Sequence, residues 1–271
     1  MRRSFFHSIL TCASLASIPL ALSFSLRGQQ SSDQQQSPPQ QAAPPADVPA
    51  QQGAPSQPPP LPVPVHLGPV VVLDAGHGGT DPGAHGGNGI VEKDAVLQFA
   101  RVLRAELERL GYHVVMTRND DSDPSYDDRA TLANAYRDPV FVSLHVSSSG
   151  VVGTARTYFY EFAGPFAGAV SASAAPPWEE AQRPYGDASR RLANLVQIEI
   201  THRLTGSPNA PAPVAVRSLR SVAAPAVAVE ISSVSASDSA ALNSLAGPLA
   251  ISVARGIAAF HPILGTAAGQ P

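Results

Sequence analysis

The sequence predicts an α/β fold with a mostly parallel sheet and helices on both of its faces. Short β-branched runs bounded by Pro or Gly, such as "PVVVLD" at 69–74, have the composition of buried strands. Between these runs lie segments whose apolar residues recur at helical spacing. Strands that alternate with helices in this way build a mostly parallel sheet whose connections cover both faces.

The individual elements follow from the same two periodicities. After Glu92, apolar residues recur every three or four positions as far as Gly111, which is a suitable C-cap. The predicted strands are 69–74, 112–118, 139–145, 154–162, 214–217 and 226–231. The predicted helices are 92–110, 129–136, 188–204 and 240–260, and the Ala/Gly/Pro-rich span 163–186 is predicted to be a mobile excursion.

Composition divides the 271 residues into four regions. Residues 1–27 combine a basic start with an apolar stretch and small residues suited to cleavage, which is typical of a secretion signal. Their adjacent arginines are compatible with the twin-arginine or the general secretory route, and an uncleaved anchor is the alternative. Residues 28–66, rich in Gln and Pro, are predicted to be a disordered linker. Residues 67–264, about 200 in all, suffice for one folded domain, and 265–271 form a disordered tail.

Charge and cysteine content exclude several functional classes. The net charge of −3 and the lack of a basic run give no support for nucleic-acid binding. Cys12 is the only cysteine and lies within the predicted signal, so the exported part has neither a disulfide nor a thiolate ligand. A metal site in the folded domain must therefore be built from His, Asp and Glu.

Four residues with suitable chemistry are predicted to lie at strand ends or at a helix start. His77 follows the first strand, His145 ends the third, Glu230 lies near the end of the last, and Glu92 opens the first helix. Ligands of open α/β sheets bind at the carboxyl ends of the strands. Two imidazoles and one carboxylate are a common zinc set that leaves a position for water, and a further carboxylate can shuttle protons.

Simpler interpretations remain open at this point. A single His after a strand is often a surface residue, and Glu92 could merely favour the positive end of its helix. Glu230 is harder to dismiss, because a buried carboxylate without a partner is costly. A dinucleotide site at "GHGGTD" is disfavoured, since Asp81 stands where the third glycine should be.

The segments "VVLDAGHGGTDPGAHGGNGIVEKD", "GYHVVMTR", "DDRATLAN", "FVSLH" and "PAVAVE" occur in that order along the chain. Their order and spacing resemble those of the zinc-dependent N-acetylmuramoyl-L-alanine amidases of the amidase-3 family, across the whole folded part. The resemblance implies a six-stranded sheet and one catalytic domain at 67–264 that cleaves the amide between N-acetylmuramic acid and L-alanine of peptidoglycan.

The resemblance also implies roles for individual residues. His77, Glu92 and His145 would hold one Zn²⁺, Glu230 would be the catalytic base, and Asp74 would orient His77. It further implies an exported monomer in the periplasm or cell envelope, without a stable membrane span after signal removal. Its partners would be peptidoglycan and an activator protein of the envelope, with no nucleic acid.

Some segments depart from the family pattern on the side of the predicted substrate cleft. "HVSSSG" follows His145 and "ISSVSAS" follows Glu230, so the preference for a stem peptide stays open. One alternative is a protein of the same fold that binds peptidoglycan with little or no turnover. Another is a zinc peptidase or deacetylase that acts on a different amide. Arg118 and Arg129 are expected to fix loop ends by ion pairing, and binding of substrate carboxylates is the alternative. His85 is expected to face solvent, and a role as a third imidazole ligand is the alternative.

Overall fold

The computed structural model describes residues 68–162 and 176–261, which surround one six-stranded sheet. The strands are β1 (Val70–Ala75), β2 (His113–Met116), β3 (Val140–Ser147), β4 (Thr154–Tyr160), β5 (Ala212–Val214) and β6 (Ala226–Ser232). Their order across the sheet is β2-β1-β3-β6-β4-β5. β2, β1, β3 and β6 run parallel, whereas β4 pairs antiparallel with β6 and parallel with the edge strand β5. The predicted mostly parallel, six-stranded α/β fold is confirmed.

Helices cover both faces of this sheet. They are α1 (Glu92–Arg109), α2 (Tyr126–Asn134), α3 (Gly186–Arg203), α4 (Arg217–Arg220), α5 (Ser239–Asn243) and α6 (Ala246–Phe260). α1, α3 and α6 pack on one face, where they bury Leu73 and Leu144. α2 and α4 cover the other face around Phe141.

The alternation of side chains along the strands decides which residues project onto the face covered by α2 and α4. In β6, Val227 and Val229 belong to the core beneath α1, α3 and α6, while Ala228 belongs to the core beneath α2 and α4. Glu230 therefore projects on the same side as Ala228. By the same alternation His145 in β3 lies on this side, because Leu144 belongs to the first core.

Several boundaries differ from the predicted ones for identifiable reasons. α2 begins at Tyr126, earlier than predicted, because Ser125 and Asp128 form a reciprocal capping box. The predicted final helix is divided into α5 and α6, since Pro248 lacks the N–H that would bond to the Ser244 carbonyl in a continuous helix. β5 (Ala212–Val214) overlaps the predicted 214–217 strand only at Val214, and α4 starts at Arg217.

The predicted signal (1–27), linker (28–66) and tail (265–271) lie outside the described residues, as does most of the predicted excursion. The described end of that excursion forms two short 3₁₀ turns, Trp178–Glu180 and Arg183–Tyr185. Among the described residues, the stretch Ser239–Phe260 is apolar and long enough to cross a membrane. Its α6 part packs against α1 and α3, which is the arrangement of a core helix.

Candidate metal centre

The carboxyl ends of β1, β3 and β6 bring the predicted site residues to one edge of the sheet. Glu230 of β6 stands directly beside His145 of β3 in the parallel register. Asp74 of β1 is likewise opposite Ser143 of β3. The side chains of Asp74, Ser143, His145 and Glu230 thus lie in neighbouring positions on the face covered by α2 and α4.

The loop after β1 needs glycine where it passes the two histidines. A Cβ on Gly76 would lie 2.5 Å from Cε1 of His145, and one on Gly83 would lie 2.6 Å from Oε2 of Glu92. Gly83 also has a φ of 67° and His77 a φ of 61°, in the left-handed region. The glycines of "GHGGTDPG" therefore allow the loop to fold back so that His77 reaches Glu92.

Two buried arginines hold this loop through its carbonyl groups. Nη1 of Arg129 pairs with Asp74 at 2.6 Å and donates to the carbonyl of Ala75 at 2.8 Å, while Nη2 donates to the carbonyl of His77 at 2.9 Å. Burial alone would raise the pKa of Asp74, but the Arg129 guanidinium holds that pKa below its usual value.

Arg118 fixes the same loop from the other side. Its Nε donates to Ala75 at 2.8 Å, and its Nη2 donates to Gly76 at 2.9 Å and to Lys93 at 2.7 Å, in each case to the carbonyl oxygen. The expectation that both arginines fix loop ends is confirmed, although Arg118 does so through carbonyl groups and not through an ion pair.

His77, Glu92 and His145 form a compact triangle of potential metal ligands. Nε2 of His77 and Nδ1 of His145 are 3.3 Å apart. Oε1 of Glu92 is 3.1 Å from each of these two nitrogens. Tetrahedral zinc with bonds of about 2.0–2.1 Å separates its ligands by about 3.3 Å, so the three atoms have the spacing of a zinc site.

The orienting partner of His77 is Asp81, which corrects the expectation for Asp74. Oδ2 of Asp81 lies 2.8 Å from Nδ1 of His77. A proton on Nδ1 leaves the lone pair of Nε2 free for a metal, as ligating imidazoles require. The carboxylate of Asp74 is instead engaged by Arg129, Thr117 and Ser143, because it is buried at the base of the loop.

Asp74 acts on the other histidine through Ser143. The Ser143 hydroxyl donates to Asp74 at 2.7 Å, and its oxygen lies 3.2 Å from Nε2 of His145. A proton on this Nε2 leaves Nδ1 of His145 free for a metal. Glu92 is fixed separately, since its two oxygens accept the backbone N–H groups of Ala84 at 2.8 Å and Val146 at 2.9 Å.

Hydrogen bonds within this cluster of potential ligands shift the pKa values of His77 and Glu92. The hydrogen bond to Glu92, helped by the one to Asp81, outweighs burial and raises the pKa of His77 to about 9. Burial would raise the pKa of Glu92, but hydrogen bonds from His145 and His77 hold it well below its usual range. A metal bound here would therefore displace a proton from this cluster.

Glu230 stands at the edge of a cleft of about 400 Å³ that also contains His77, Glu92 and His145. Tyr158 of β4 lines the same cleft. Burial and then the negative charge of Glu230 raise the pKa of Tyr158, so the hydroxyl and the carboxylate are close neighbours. A base at this position faces the space beside the ligand triangle.

A family model described as N-acetylmuramoyl-L-alanine amidase (Amidase_3) matches residues 71–259. The chain belongs to this family. The match spans nearly the whole described fold and all five predicted site residues, Asp74, His77, Glu92, His145 and Glu230. The amidase-3 resemblance noted in the sequence is therefore confirmed.

Curated relatives of this amidase-family chain align over shorter stretches. AmiC of Neisseria meningitidis serogroup B is 48% identical over 80 residues, which are 30% of this chain and 19% of that protein. The sporulation-specific N-acetylmuramoyl-L-alanine amidase of Bacillus subtilis is 41% identical over 92 residues, 33% of this chain and 35% of that protein. The aligned part of this chain thus spans less than two-thirds of either relative.

Solved amidase structures match over a larger share of the chain. An N-acetylmuramoyl-L-alanine amidase from Clostridium difficile 630 superposes with a TM-score of 0.55 at 25% identity, covering 72% of this chain and 97% of that one. AmiC2 of Nostoc punctiforme gives a TM-score of 0.55 at 25% identity, covering 71% and 96%.

Sequence reasoning missed two residues of this amidase-family site. The sequence signal for Asp81 is its position four residues after His77. The signal for Ser143 is its position two residues before His145, on the same strand face. His85 is exposed, as expected, and its backbone forms an isolated bridge with Val91.

Proposed function

We propose that this chain is a zinc-dependent amidase that cleaves the bond between N-acetylmuramic acid and the L-alanine of peptidoglycan stem peptides. The observation that carries this proposal is the ligand triangle of His77, Glu92 and His145, with its spacing of 3.1–3.3 Å, in a chain of the amidase family. A bound zinc would polarise the scissile carbonyl and activate the attacking water.

The residues around the triangle have separate roles in the proposed reaction. Glu230, which shares the cleft with both histidines, would accept a proton from the attacking water and pass it to the departing amine of L-alanine. Asp81 and Ser143 would keep the two imidazoles in the tautomers that expose Nε2 of His77 and Nδ1 of His145. The assignment of Glu230 as base and of the three ligands is part of the proposal.

Peptidoglycan as substrate implies that the enzyme acts outside the cytoplasm. Export through residues 1–27, a location in the periplasm or cell envelope, an activator protein and a monomeric state stay predictions from the sequence. The relatives named as amidases agree with action on the cell wall.

The deciding experiment is digestion of purified sacculi by the full-length protein loaded with zinc, followed by mass analysis of the released material. We expect free stem peptides that begin with L-alanine, no release after chelation, and recovery when zinc is restored. A protein that only binds would retain sacculi without releasing peptides. A peptidase or deacetylase would give products of a different mass, and either result would contradict the proposal.

A further inference from the structure

Two clefts adjoin the ligand triangle, and the lining residues that they share are His77 and His145. The cleft of about 400 Å³ contains Glu230 and Tyr158, and we call it the Glu230 cleft. The other, of about 200 Å³, runs toward the start of α2 and contains Tyr126. We call this second one the Tyr126 cleft.

The proposed reaction, on which this inference rests, gives the two clefts different parts of the substrate. A base that hands its proton to the departing amine must lie within hydrogen-bond reach of that nitrogen. The amine and the peptide that follows it therefore belong in the Glu230 cleft. The acyl group, on the other side of the scissile carbon, then points into the Tyr126 cleft.

The lining of the Tyr126 cleft is suited to a neutral ligand rich in hydroxyl groups. Tyr126 is 43% exposed although the guanidinium of Arg217 lies 4.9 Å from its ring centre. Asp81 and Asp123 supply carboxylate acceptors at the edges of the cleft. Such carboxylates accept bonds from ligand hydroxyls, and an aromatic ring packs against the apolar face of a sugar.

Ser218 adds an unused polar group to the same cleft. This residue is only 6% exposed, and its hydroxyl has no hydrogen-bond partner among the described residues. Buried polar groups are nearly always satisfied, so an unpaired hydroxyl that lines a cleft points to a ligand.

Arg129, which lines the Tyr126 cleft, is not free to bind an anionic ligand. The Arg129 guanidinium donates to Asp74 and to the carbonyls of Pro124, Ala75 and His77. The carboxylates of the cleft are engaged as well: Asp123 lies 3.7 Å from Nη2 of Arg129, and Asp81 lies 2.8 Å from Nδ1 of His77. The charges that line the cleft are therefore matched in pairs, which suits an uncharged sugar.

We propose that the Tyr126 cleft is the acyl-side subsite and binds the N-acetylated sugar ring that carries the lactyl group of the substrate. The lactyl group is a short linker, so a ring attached to it lies within a few bonds of the scissile carbonyl. Tyr126 packs against that ring, while Ser218 and Asp123 bond to its hydroxyl or amide groups.

Intrinsic tryptophan fluorescence can report ligand binding at this subsite. Trp178 is the only tryptophan, and its Nε1 donates to Oδ1 of Asp127, the residue after Tyr126, at 2.9 Å. Its intrinsic fluorescence can be followed while the zinc-loaded, full-length Glu230→Gln protein is titrated with the disaccharide of N-acetylglucosamine and N-acetylmuramic acid. We expect a saturable change with the disaccharide and none with the free stem peptide.

Kinetics with two substrates test the same point without relying on the reporter. One substrate is the disaccharide pentapeptide, and the other is the pentapeptide with a bare D-lactyl group. We expect Tyr126→Ala to raise KM for the first about 3- to 10-fold with little change in kcat, and to leave the second unaffected. Ser218→Ala should act in the same direction, Tyr126→Phe should retain binding, and Ile198→Ala, an exposed residue on α3, is the control.

The outcomes separate this inference from the proposed function. If the wild-type protein cleaves neither substrate, the proposed function fails, and the fluorescence titration still decides whether the disaccharide binds at Tyr126. If the wild-type protein is active but Tyr126→Ala and Ser218→Ala change neither KM nor disaccharide binding, the subsite is wrong. If the stem peptide changes the Trp178 fluorescence only when Tyr126 is intact, the peptide binds in the Tyr126 cleft. The assignment of the two clefts is then reversed, and the proposed sugar subsite is wrong.

Discussion

Oδ2 of Asp81 lies 2.8 Å from Nδ1 of His77, while Nε2 of the same ring meets Glu92 and His145. The carboxylate thereby fixes both the orientation of the imidazole and the nitrogen that is left for a metal. Arg118 and Arg129 anchor the loop that makes this contact, through the carbonyl groups of Gly76 and His77.

We predict that Asp81→Asn weakens zinc binding by about 10- to 100-fold, because partners of ligating histidines typically contribute that much. Competition with a zinc chelator of known affinity measures the effect. Asp138→Asn is the matched control, since Asp138 is an exposed carboxylate paired with Arg137. Equal zinc affinity in Asp81→Asn and wild type would show that the His77–Asp81 contact does not support the metal.

The ligand triangle predicts about one zinc per chain. His145→Ala should abolish zinc occupancy, as measured by metal analysis after dialysis. Glu92→Gln should lose zinc as well and should also melt at a lower temperature than wild type, because Oε1 and Oε2 accept the N–H groups of Val146 and Ala84 and an amide cannot accept both. Full zinc occupancy in His145→Ala would refute the ligand set.

We predict that the ionisation of Asp74 makes the stability of the fold depend on pH. Burial would raise its pKa, but Arg129, together with hydrogen bonds from Ser143 and Thr117, lowers the pKa in the folded state, so the ionised form stabilises the fold at neutral pH. This contribution is fully present above the unfolded pKa of about 3.9 and is lost as the pH falls through the lower pKa of the folded state. We expect the free energy of unfolding of wild type to fall more steeply below about pH 4 than that of Asp74→Asn.

The same substitution should destabilise the protein at neutral pH by about 3–5 kcal/mol, since it leaves the buried Arg129 without its charged partner. Urea unfolding of the metal-free proteins at several pH values provides both measurements. Unfolding curves of Asp74→Asn and wild type that coincide at pH 7 would contradict this role of the ion pair.

Glu230→Gln should separate catalysis from metal binding. Glutamine keeps the volume but cannot accept a proton, and removal of a general base commonly costs about 10²–10⁴-fold in rate. We expect normal zinc content, a melting temperature within a few degrees of wild type, and a loss of at least about 100-fold in rate on a soluble muropeptide. Glu108→Gln on the exposed face of α1 is the control. An active Glu230→Gln enzyme would place the base elsewhere, and a metal-free one would make Glu230 a ligand.

The sequence by itself determined the α/β architecture and the neighbourhood of His77, Glu92, His145 and Glu230. Strand and helix periodicities are local properties, and the carboxyl ends of parallel strands meet at one edge of a sheet. A residue that ends a strand is therefore placed by connectivity, whereas Glu92 reaches His77 because the glycine loop folds back.

Only the tertiary structure decided which groups support these residues. Asp81, and not Asp74, orients His77, because the backbone of the glycine loop turns through a left-handed φ at His77 and brings Asp81 back to the ring. The Tyr126 cleft joins residues of α2 and α4 that are far apart in the chain, Tyr126 and Ser218. Such contacts depend on loop dihedral angles and on packing between layers, and neither leaves a periodic signal in the sequence.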